Sequence, residues 1–298
     1  MAGQRPLLIM ATTLALGLAA GCETIYNPAT ERQETVIDTP TEILLGNIAK
    51  TQMGLFSLKM GRVDPEQLAR VQRIGAELAT VSDRQDLAYR FGVIQDKDLN
   101  AFTLPGGTIY VNSGLVAKAN NDELAAVIGH EVGHAAARHA AKHLQADLGF
   151  MALLQIAGAA GAGGGATQVA GSLYGLFSNG FSRRDELEAD RLGIRYASRA
   201  GYDPEGMVTF FEKMQEEERD DWRPEPPPWE RAHPLTGDRI AEAKKELERL
   251  KGTTFCPECG REYGADKKFC EVDGTPLKKK MGAHKPGASL TGELYRAH

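Results

Sequence analysis

The pentad His130-Glu131-Val132-Gly133-His134 has the residue types and the spacing of a zinc hydrolase site. Residues four apart share one face of an α-helix, so the two histidines can direct imidazole nitrogens at one metal ion. The glutamate between them then lies beside a metal-bound water and can serve as its general base. The pattern predicts a metalloprotease site. The alternative is an alanine-rich helix with solvated histidines.

Residues 122–145 are predicted to form the helix that carries this pentad. Asn120 is suited to cap its start, and a nearly unbroken run of good helix formers follows. Two further histidines, His139 and His143, fall on the same segment. Both are predicted to be solvated or structural, because they lie beyond the pentad and His139 is off the face of His134.

A catalytic zinc needs a third protein ligand, and the candidates lie in the helix predicted after residue 182. Glu186 and Asp190 are four residues apart and share a face, whereas Glu188 points away from them. Such a carboxylate pair can supply one metal ligand and one acceptor for the remaining N–H of a ligating histidine. The alternative is a solvated charged face that pairs with nearby arginines.

These motifs resemble a known family. The pentad, the downstream Glu-x-x-x-Asp and the stretch 100–107 leading to Tyr110-Val111 are similar to the gluzincin zinc metallopeptidases of family M-48. That family includes the HtpX and CaaX prenyl protease types, and the similarity is greatest to its BepA-like periplasmic branch. It extends over roughly residues 40–250.

The resemblance implies a role for each residue of the site. His130, His134 and Glu186 would bind one catalytic Zn²⁺, Asp190 would support the site from behind, and Glu131 would be the general base. It also implies an activity, the hydrolysis of peptide bonds by a metalloendopeptidase.

His233-Pro234-Leu235, followed by Arg239, resembles a downstream His-Pro motif of the same family. There the histidine lies near the metal, where it either assists at the oxyanion or occupies the open zinc position as a latch. A loop histidine beside a proline is the third interpretation, and the sequence leaves all three open.

The N-terminal residues have the pattern of an export signal. A basic residue, Arg5, precedes an apolar run over 7–20 that is short for a membrane span, and small residues then lead to Cys22. This resembles the lipobox of bacterial lipoproteins, in which the cysteine is acylated. We expect a periplasm-facing lipoprotein of the bacterial cell envelope, on the inner or outer membrane. An ordinary secretory signal and an uncleaved anchor are the alternatives.

Three cysteines near the C-terminus, with one aspartate, predict a second site. Cys256, Cys259, Cys270 and Asp273 have the order of a zinc ribbon, with aspartate where such modules normally carry a fourth cysteine. The pattern predicts a structural zinc. An empty fold and a Cys256–Cys259 disulfide remain alternatives.

The predicted fold class is α+β and mainly helical. It is a zincin-type domain with an active-site helix and a small antiparallel sheet, followed by a zinc-ribbon-like module. The predicted organisation is a signal peptide (1–21), a polar tether (22–40), the metallopeptidase domain (41–252), the zinc-ribbon-like module (253–278) and a flexible tail (279–298).

Composition limits the classes of partner. The chain has 298 residues, 42% of them hydrophobic and 25% charged, which is enough for a real core. A net charge of −5 and the lack of a basic stripe argue against nucleic acid. Expected substrates are polypeptides, above all misfolded or misassembled envelope proteins, including outer-membrane proteins or their assembly machinery. The alternative function is a periplasmic chaperone or assembly factor with a latent protease site.

Overall fold

The computed structural model of the chain describes residues 22–56, 63–146, 180–220, 233–234, 237–259, 261–264 and 266–279. The predicted signal peptide (1–21) and nearly all of the predicted tail (280–298) lie outside the described residues. Over the part that is described, the fold is mainly helical and contains three small sheets. The predominance of helix agrees with the sequence prediction.

The predicted polar tether over 22–40 is wrong, because a β-hairpin occupies most of this region. Its antiparallel strands are β1 (Cys22–Asn27) and β2 (Arg32–Ile37). The side chain of Asn27 donates a hydrogen bond to the backbone oxygen of Ala136 over 3.2 Å. Arg138 donates to the backbone oxygen of Ile37 over 3.1 Å. The hairpin is mostly polar and exposed, so composition does not reveal these few buried contacts that dock it.

Two helices follow, α1 (Thr39–Phe56) and α2 (Pro65–Thr80). The start of α2 is well capped: an oxygen of Asp64 accepts the N–H of Glu66 over 2.9 Å, and proline occupies the first helical position. One face of α2 is buried against the sheet that comes next in the chain.

That sheet contains β3 (Arg90–Ile94), β4 (Ala101–Leu104) and β5 (Thr108–Asn112), in the order β3-β5-β4. The turn between β4 and β5 contains Gly106 and Gly107, whose φ angles of +78° and +81° favour glycine. The predicted antiparallel sheet is wrong in part, because β3 pairs parallel with β5. Since β5 is buried on both faces, it takes the central place and separates β3 from β4.

A short helix, α3 (Ser113–Lys118), leads into α4 (Asn121–Ala136), which carries the pentad. The predicted cap is present and reciprocal. Asn120 accepts the backbone N–H of Glu123 through its side chain, and Glu123 accepts that of Asn120, both over 2.9 Å. This capping box fixes where the helix begins.

The predicted single helix over 122–145 is wrong, because the chain breaks at Arg138. This residue has a φ of +58°, and the helix resumes over 139–146. The buried guanidinium of Arg138 donates to the backbone oxygen of Ile37 and, over 2.9 Å, to the hydroxyl of Thr39. These distant contacts outweigh local helix propensity and hold a left-handed residue in place.

The remaining long helices are α5 (Arg183–Ala200), α6 (Gly206–Asp220) and α7 (Gly237–Lys251). Helix α5 packs closely along α4, and glycine makes this possible: a Cβ atom on Gly193 would lie 2.7 Å from the backbone nitrogen of His130. The close approach brings the acidic face of α5 against the pentad.

A last small sheet follows α7, with strands β6 (Thr253–Phe255), β7 (Glu262–Gly264) and β8 (Lys278–Lys279) in the order β7-β6-β8. Both pairings are antiparallel. Within the described ranges, no helix has the length and apolar character needed to cross a bilayer.

Candidate metal centre

The two pentad histidines face each other on the side of α4 that packs against α5. The Nε2 atoms of His130 and His134 lie 2.9 Å apart, and both rings are buried. The spacing of four residues therefore directs both nitrogens to one point, as predicted from helix geometry.

Glu186 on α5 and His233, just before α7, complete the cluster. The carboxylate oxygens of Glu186 lie 3.5 Å from Nε2 of His130 and 3.4 Å from Nε2 of His134. Nδ1 of His233 lies 3.1 Å from each of these oxygens. One potential ligand atom from each of the four residues falls within 4.8 Å of the others. Three separate parts of the chain thus meet at one buried point.

Asp190 lies behind His130, where the carboxylate pair on α5 was predicted to place an acceptor. Its Oδ1 is 2.8 Å from Nδ1 of His130. Arg239 donates to both oxygens of Asp190 over 2.7 Å, and its Nη1 lies 3.0 Å from Glu186. The same nitrogen donates to the backbone oxygen of His233 over 3.0 Å. Arg239 therefore links the metal-facing carboxylate, its neighbour and the His-Pro segment.

The charges of this cluster are set by its buried pairs. Burial would raise the pKa of Asp190, but the adjacent Arg239 outweighs it and holds that pKa below its usual value. Burial likewise opposes ionisation of Glu186, yet His233 and His134 hold its pKa well below the ordinary range. Burial and the neighbouring His130 hold the pKa of His134 well below its usual value. The ionised carboxylate of Glu186 therefore faces a neutral His134.

Glu131 projects from the same turn of α4 with its two oxygens in different environments. The hydroxyl of Thr103 on β4 lies 2.6 Å from Oε2 and donates to it. Oε1 is buried, has no hydrogen-bond partner among the described residues, and lies 3.5 Å from Nε2 of His233. One oxygen is thus held in place, while the other is left open toward the cluster.

His139 is buried, so of the two predicted alternatives only the structural one holds. Its Nδ1 lies 2.8 Å from Nδ1 of His134, and its Nε2 lies 3.3 Å from a carboxylate oxygen of Glu188. Burial opposes ionisation of Glu188, but its hydrogen bond with His139 lowers its pKa. Nε2–H of His139 then donates to the carboxylate of Glu188, and its Nδ1 accepts a hydrogen bond from Nδ1–H of His134. This leaves Nε2 of His134 with a lone pair.

We expect replacement of His139 with alanine to weaken metal binding about 10- to 100-fold, because the partner that fixes the tautomer of His134 is lost. Competition with a chromophoric chelator measures the affinity. His143→Ala is the matched control, since that ring is partly exposed and lies 3.3 Å from Asp185 rather than from a pentad histidine. An affinity for His139→Ala equal to that of the control would contradict this role.

Sequence reasoning missed Thr103, His139 and Glu188 as parts of the site. No local pattern could have identified His139, because its return toward His134 depends on the left-handed backbone of Arg138. The sequence does not predict Glu188 as a metal ligand, because it faces away from Glu186. That orientation brings its carboxylate to His139.

The other predicted site residues lie elsewhere. Cys22 is the first residue of β1 and is partly buried. Cys256, Cys259, Cys270 and Asp273 form a second cluster, with ligand atoms also within 4.8 Å of one another.

The buried donor set has the chemistry of a metal site. Asp190 accepts a hydrogen bond from Nδ1–H of His130, and His139 accepts one from Nδ1–H of His134. Two nitrogen lone pairs therefore face the ionised carboxylate of Glu186. Acceptors that converge in this way repel one another unless a cation lies between them. The residues present therefore fit a bound metal ion.

Comparison with known proteins shows that the chain is similar to several proteases. The chain is 29% identical over 200 residues to the beta-barrel assembly-enhancing protease of Escherichia coli (strain K12), which covers 63% of this chain and 40% of that protein. It is 37% identical over 154 residues to the metalloprotease LoiP of the same organism, covering 50% of this chain and 60% of LoiP. It is 33% identical over 150 residues to the mitochondrial metalloendopeptidase OMA1 of Schizosaccharomyces pombe, covering 48% of this chain and 43% of OMA1.

The chain thus spans about two fifths of the length of the assembly-enhancing protease that it matches. Residues 65–247 match the family described as Peptidase family M48, and this range includes α2, the sheet with β4, and every residue of the buried cluster. The match covers more than half of the chain, and so the protein belongs to peptidase family M48.

Proposed function

We propose that this protein is a zinc-dependent metalloendopeptidase, with His130, His134 and Glu186 as the zinc ligands and Glu131 as the general base. The observation that carries the proposal is the open oxygen of Glu131 beside the converging ligand atoms. A buried polar atom without a partner costs free energy and needs an explanation. A general base explains it, because this oxygen is where a substrate proton must be received.

The donor set supports zinc as the ion. Two imidazole nitrogens and one carboxylate oxygen are the ligands of many catalytic zinc sites, which keep a fourth position open. When bound there, zinc would polarise a water molecule and the carbonyl of the scissile peptide bond.

The remaining chemistry belongs to the protein's own groups. Oε1 of Glu131 accepts a proton from the attacking water, while the hydroxyl of Thr103 holds Oε2 and fixes the orientation of the carboxylate. Glu131 then delivers this proton to the nitrogen of the leaving amine, which balances the hydrolysis. Asp190 and His139 keep the two ligand rings in orientation throughout.

Strand β4 is proposed to bind the substrate chain. It is an edge strand of the sheet, whose strand order is β3-β5-β4, and its residue Thr103 contacts Glu131. An extended peptide paired with this edge would run past the general base, and main-chain pairing recognises unfolded polypeptide with little dependence on its sequence. This favours misfolded or misassembled proteins as substrates.

The proposed location is the bacterial cell envelope, with acylated Cys22 as the membrane anchor on the inner or outer membrane. The proposed role is quality control of envelope proteins or assembly of outer-membrane proteins. The lipobox-like sequence before Cys22 supports the anchor. The name of one relative, a beta-barrel assembly-enhancing protease, supports the role.

A binding role is the second candidate, namely a periplasmic chaperone or assembly factor whose protease site is latent. The observation that favours it is the position of His233, whose Nδ1 lies 3.3 Å from Nε2 of His130. Cells that carry Glu131→Gln are compared with a complete deletion. A binding role survives the substitution, whereas a proteolytic role fails in both strains.

Metal removal tests the proposed activity directly. Treatment of the purified full chain with a chelator is expected to abolish cleavage of an unfolded, fluorescently labelled polypeptide, and one equivalent of Zn²⁺ at the pentad is expected to restore it. A serine protease inhibitor serves as the control and should have no effect. Cleavage that continues in metal-free protein would contradict the proposal.

A further inference from the structure

The C-terminal module, residues 253–278, brings its three cysteines and one aspartate together. Sγ of Cys259 lies 3.5 Å from Sγ of Cys270, and Sγ of Cys256 lies 3.4 Å from the nearer carboxylate oxygen of Asp273. All four ligand atoms fall within 4.8 Å of one another, and all three cysteines are free thiols. Each tight turn, one after β6 and one after β7, supplies two of the four groups.

Hydrogen-bond donors point at two of the three sulfurs, those of Cys256 and Cys270. The backbone N–H of Cys259 points at Sγ of Cys256 over 3.5 Å, and that of Val272 points at Sγ of Cys270 over 3.4 Å. The hydroxyl of Tyr263 lies 3.1 Å from the same Cys270 sulfur. That hydroxyl accepts the N–H of Glu271 over 3.1 Å, so its own proton is directed to the sulfur. Donors aimed at sulfur stabilise the charged form that binds metal.

The module has too little core to hold these turns by packing. Phe255, Cys256 and Cys270 are buried, but Phe269 and Val272 are 59% and 56% exposed. Its strands contain only two or three residues each. Folded units of this size usually depend on a disulfide or a metal ion. Since the structure contains no disulfide among these cysteines, a metal is the cross-link that the side chains can provide.

We propose that Cys256, Cys259, Cys270 and Asp273 bind one structural zinc ion, separate from the pentad site and independent of peptidase activity. Three thiolates select zinc over hard cations, and the carboxylate completes a tetrahedral set. Four protein ligands leave no open position, so this site stabilises the module and performs no hydrolysis. Asp273 makes the site distinct from an all-cysteine one.

Metal analysis of the full chain, purified under anaerobic conditions, tests the proposal. Wild-type protein is expected to contain two zinc ions, the double variant Cys256→Ser/Cys259→Ser one, and His130→Ala/His134→Ala one. In the last variant, replacement of zinc by Co²⁺ is expected to give a thiolate-to-cobalt charge-transfer band, which the pentad site cannot produce. Absence of that band would overturn the ribbon site and leave the peptidase proposal intact.

The role of Asp273 is tested by its own series. We expect Asp273→Ala to weaken zinc binding at the module at least tenfold and Asp273→Cys to strengthen it, because thiolate is the softer ligand. Glu271→Ala is the matched control, since this neighbouring carboxylate is exposed and pairs with Lys267 over 2.8 Å. Equal affinities for Asp273→Ala and the control would overturn Asp273 as a ligand. A disulfide in the freshly purified protein, found by mass spectrometry, would overturn the zinc site as a whole.

Discussion

Replacement of Glu131 with glutamine is expected to reduce peptide hydrolysis on the order of 10²- to 10⁴-fold, the usual contribution of a general base. The amide of glutamine cannot accept the proton of the attacking water. It has nearly the same volume as the carboxylate that it replaces. Its oxygen can still accept the hydrogen bond from the hydroxyl of Thr103. The substitution therefore removes the chemistry and preserves the packing. Steady-state cleavage of a labelled unfolded polypeptide measures the effect.

Metal content separates this result from simple loss of the site. Glu131→Gln is expected to retain zinc at the pentad, because His130, His134 and Glu186 are unchanged. Glu242→Gln is the matched control for an amide substitution, since the side chain of Glu242 is 50% exposed and pairs with Lys245 in α7. Unchanged hydrolysis by Glu131→Gln, with zinc bound, would contradict the assignment of the general base.

The sequence was sufficient for the parts of the site that depend on one helix at a time. The i and i+4 spacing places His130 beside His134 and Glu186 near Asp190, because helical pitch alone determines which residues share a face. The docking of the two helices follows from the small residues between them, such as Gly193, although no single-helix pattern reveals that contact. The predicted ligands consequently meet in the folded chain.

The parts that sequence could not predict depend on contacts between distant segments. Arg138 leaves the helical conformation because its side chain binds Ile37 and Thr39, about 100 residues earlier in the chain. That break directs His139 back to His134. The same contacts hold the hairpin of β1 and β2 against the domain, where the sequence predicts a tether. Local propensity is a weak prior where buried polar groups are satisfied by remote partners.

Sheet order is a further case. The sequence can indicate local features, such as the turn at Gly106-Gly107 and the strands on either side of it. It could not predict that β3 pairs with β5, because pairing depends on which strand is buried on both faces. This placement leaves β4 at the edge, where its Thr103 reaches the general base.

Removal of the His233 imidazole is expected to increase hydrolysis. Its Nδ1 lies 3.1 Å from both oxygens of Glu186 and 3.3 Å from Nε2 of His130, while its Nε2 lies 3.5 Å from the open oxygen of Glu131. The ring therefore occupies the space between the ligands and the base, which the attacking water needs. This geometry favours the latch over assistance at the oxyanion.

Arg239 would hold His233 in this position. Its Nη1 donates to the backbone oxygens of His233 and Pro234 over 3.0 and 3.3 Å, and the guanidinium also pairs with Asp190. The His-Pro segment is thus linked through Arg239 to the same buried carboxylate that contacts His130. A site that is open in only about a tenth of the molecules would show about a tenth of its full activity.

His233→Ala is accordingly expected to raise cleavage of an unfolded polypeptide about tenfold, since every molecule then has the open site. Zinc content should not change, because the proposed ligands His130, His134 and Glu186 remain. The double variant His233→Ala/Glu131→Gln is the control, and it should be inactive if the added cleavage arises at this site. A fall in activity for His233→Ala, with zinc still bound, would contradict the latch and support a role for the ring in stabilising the oxyanion.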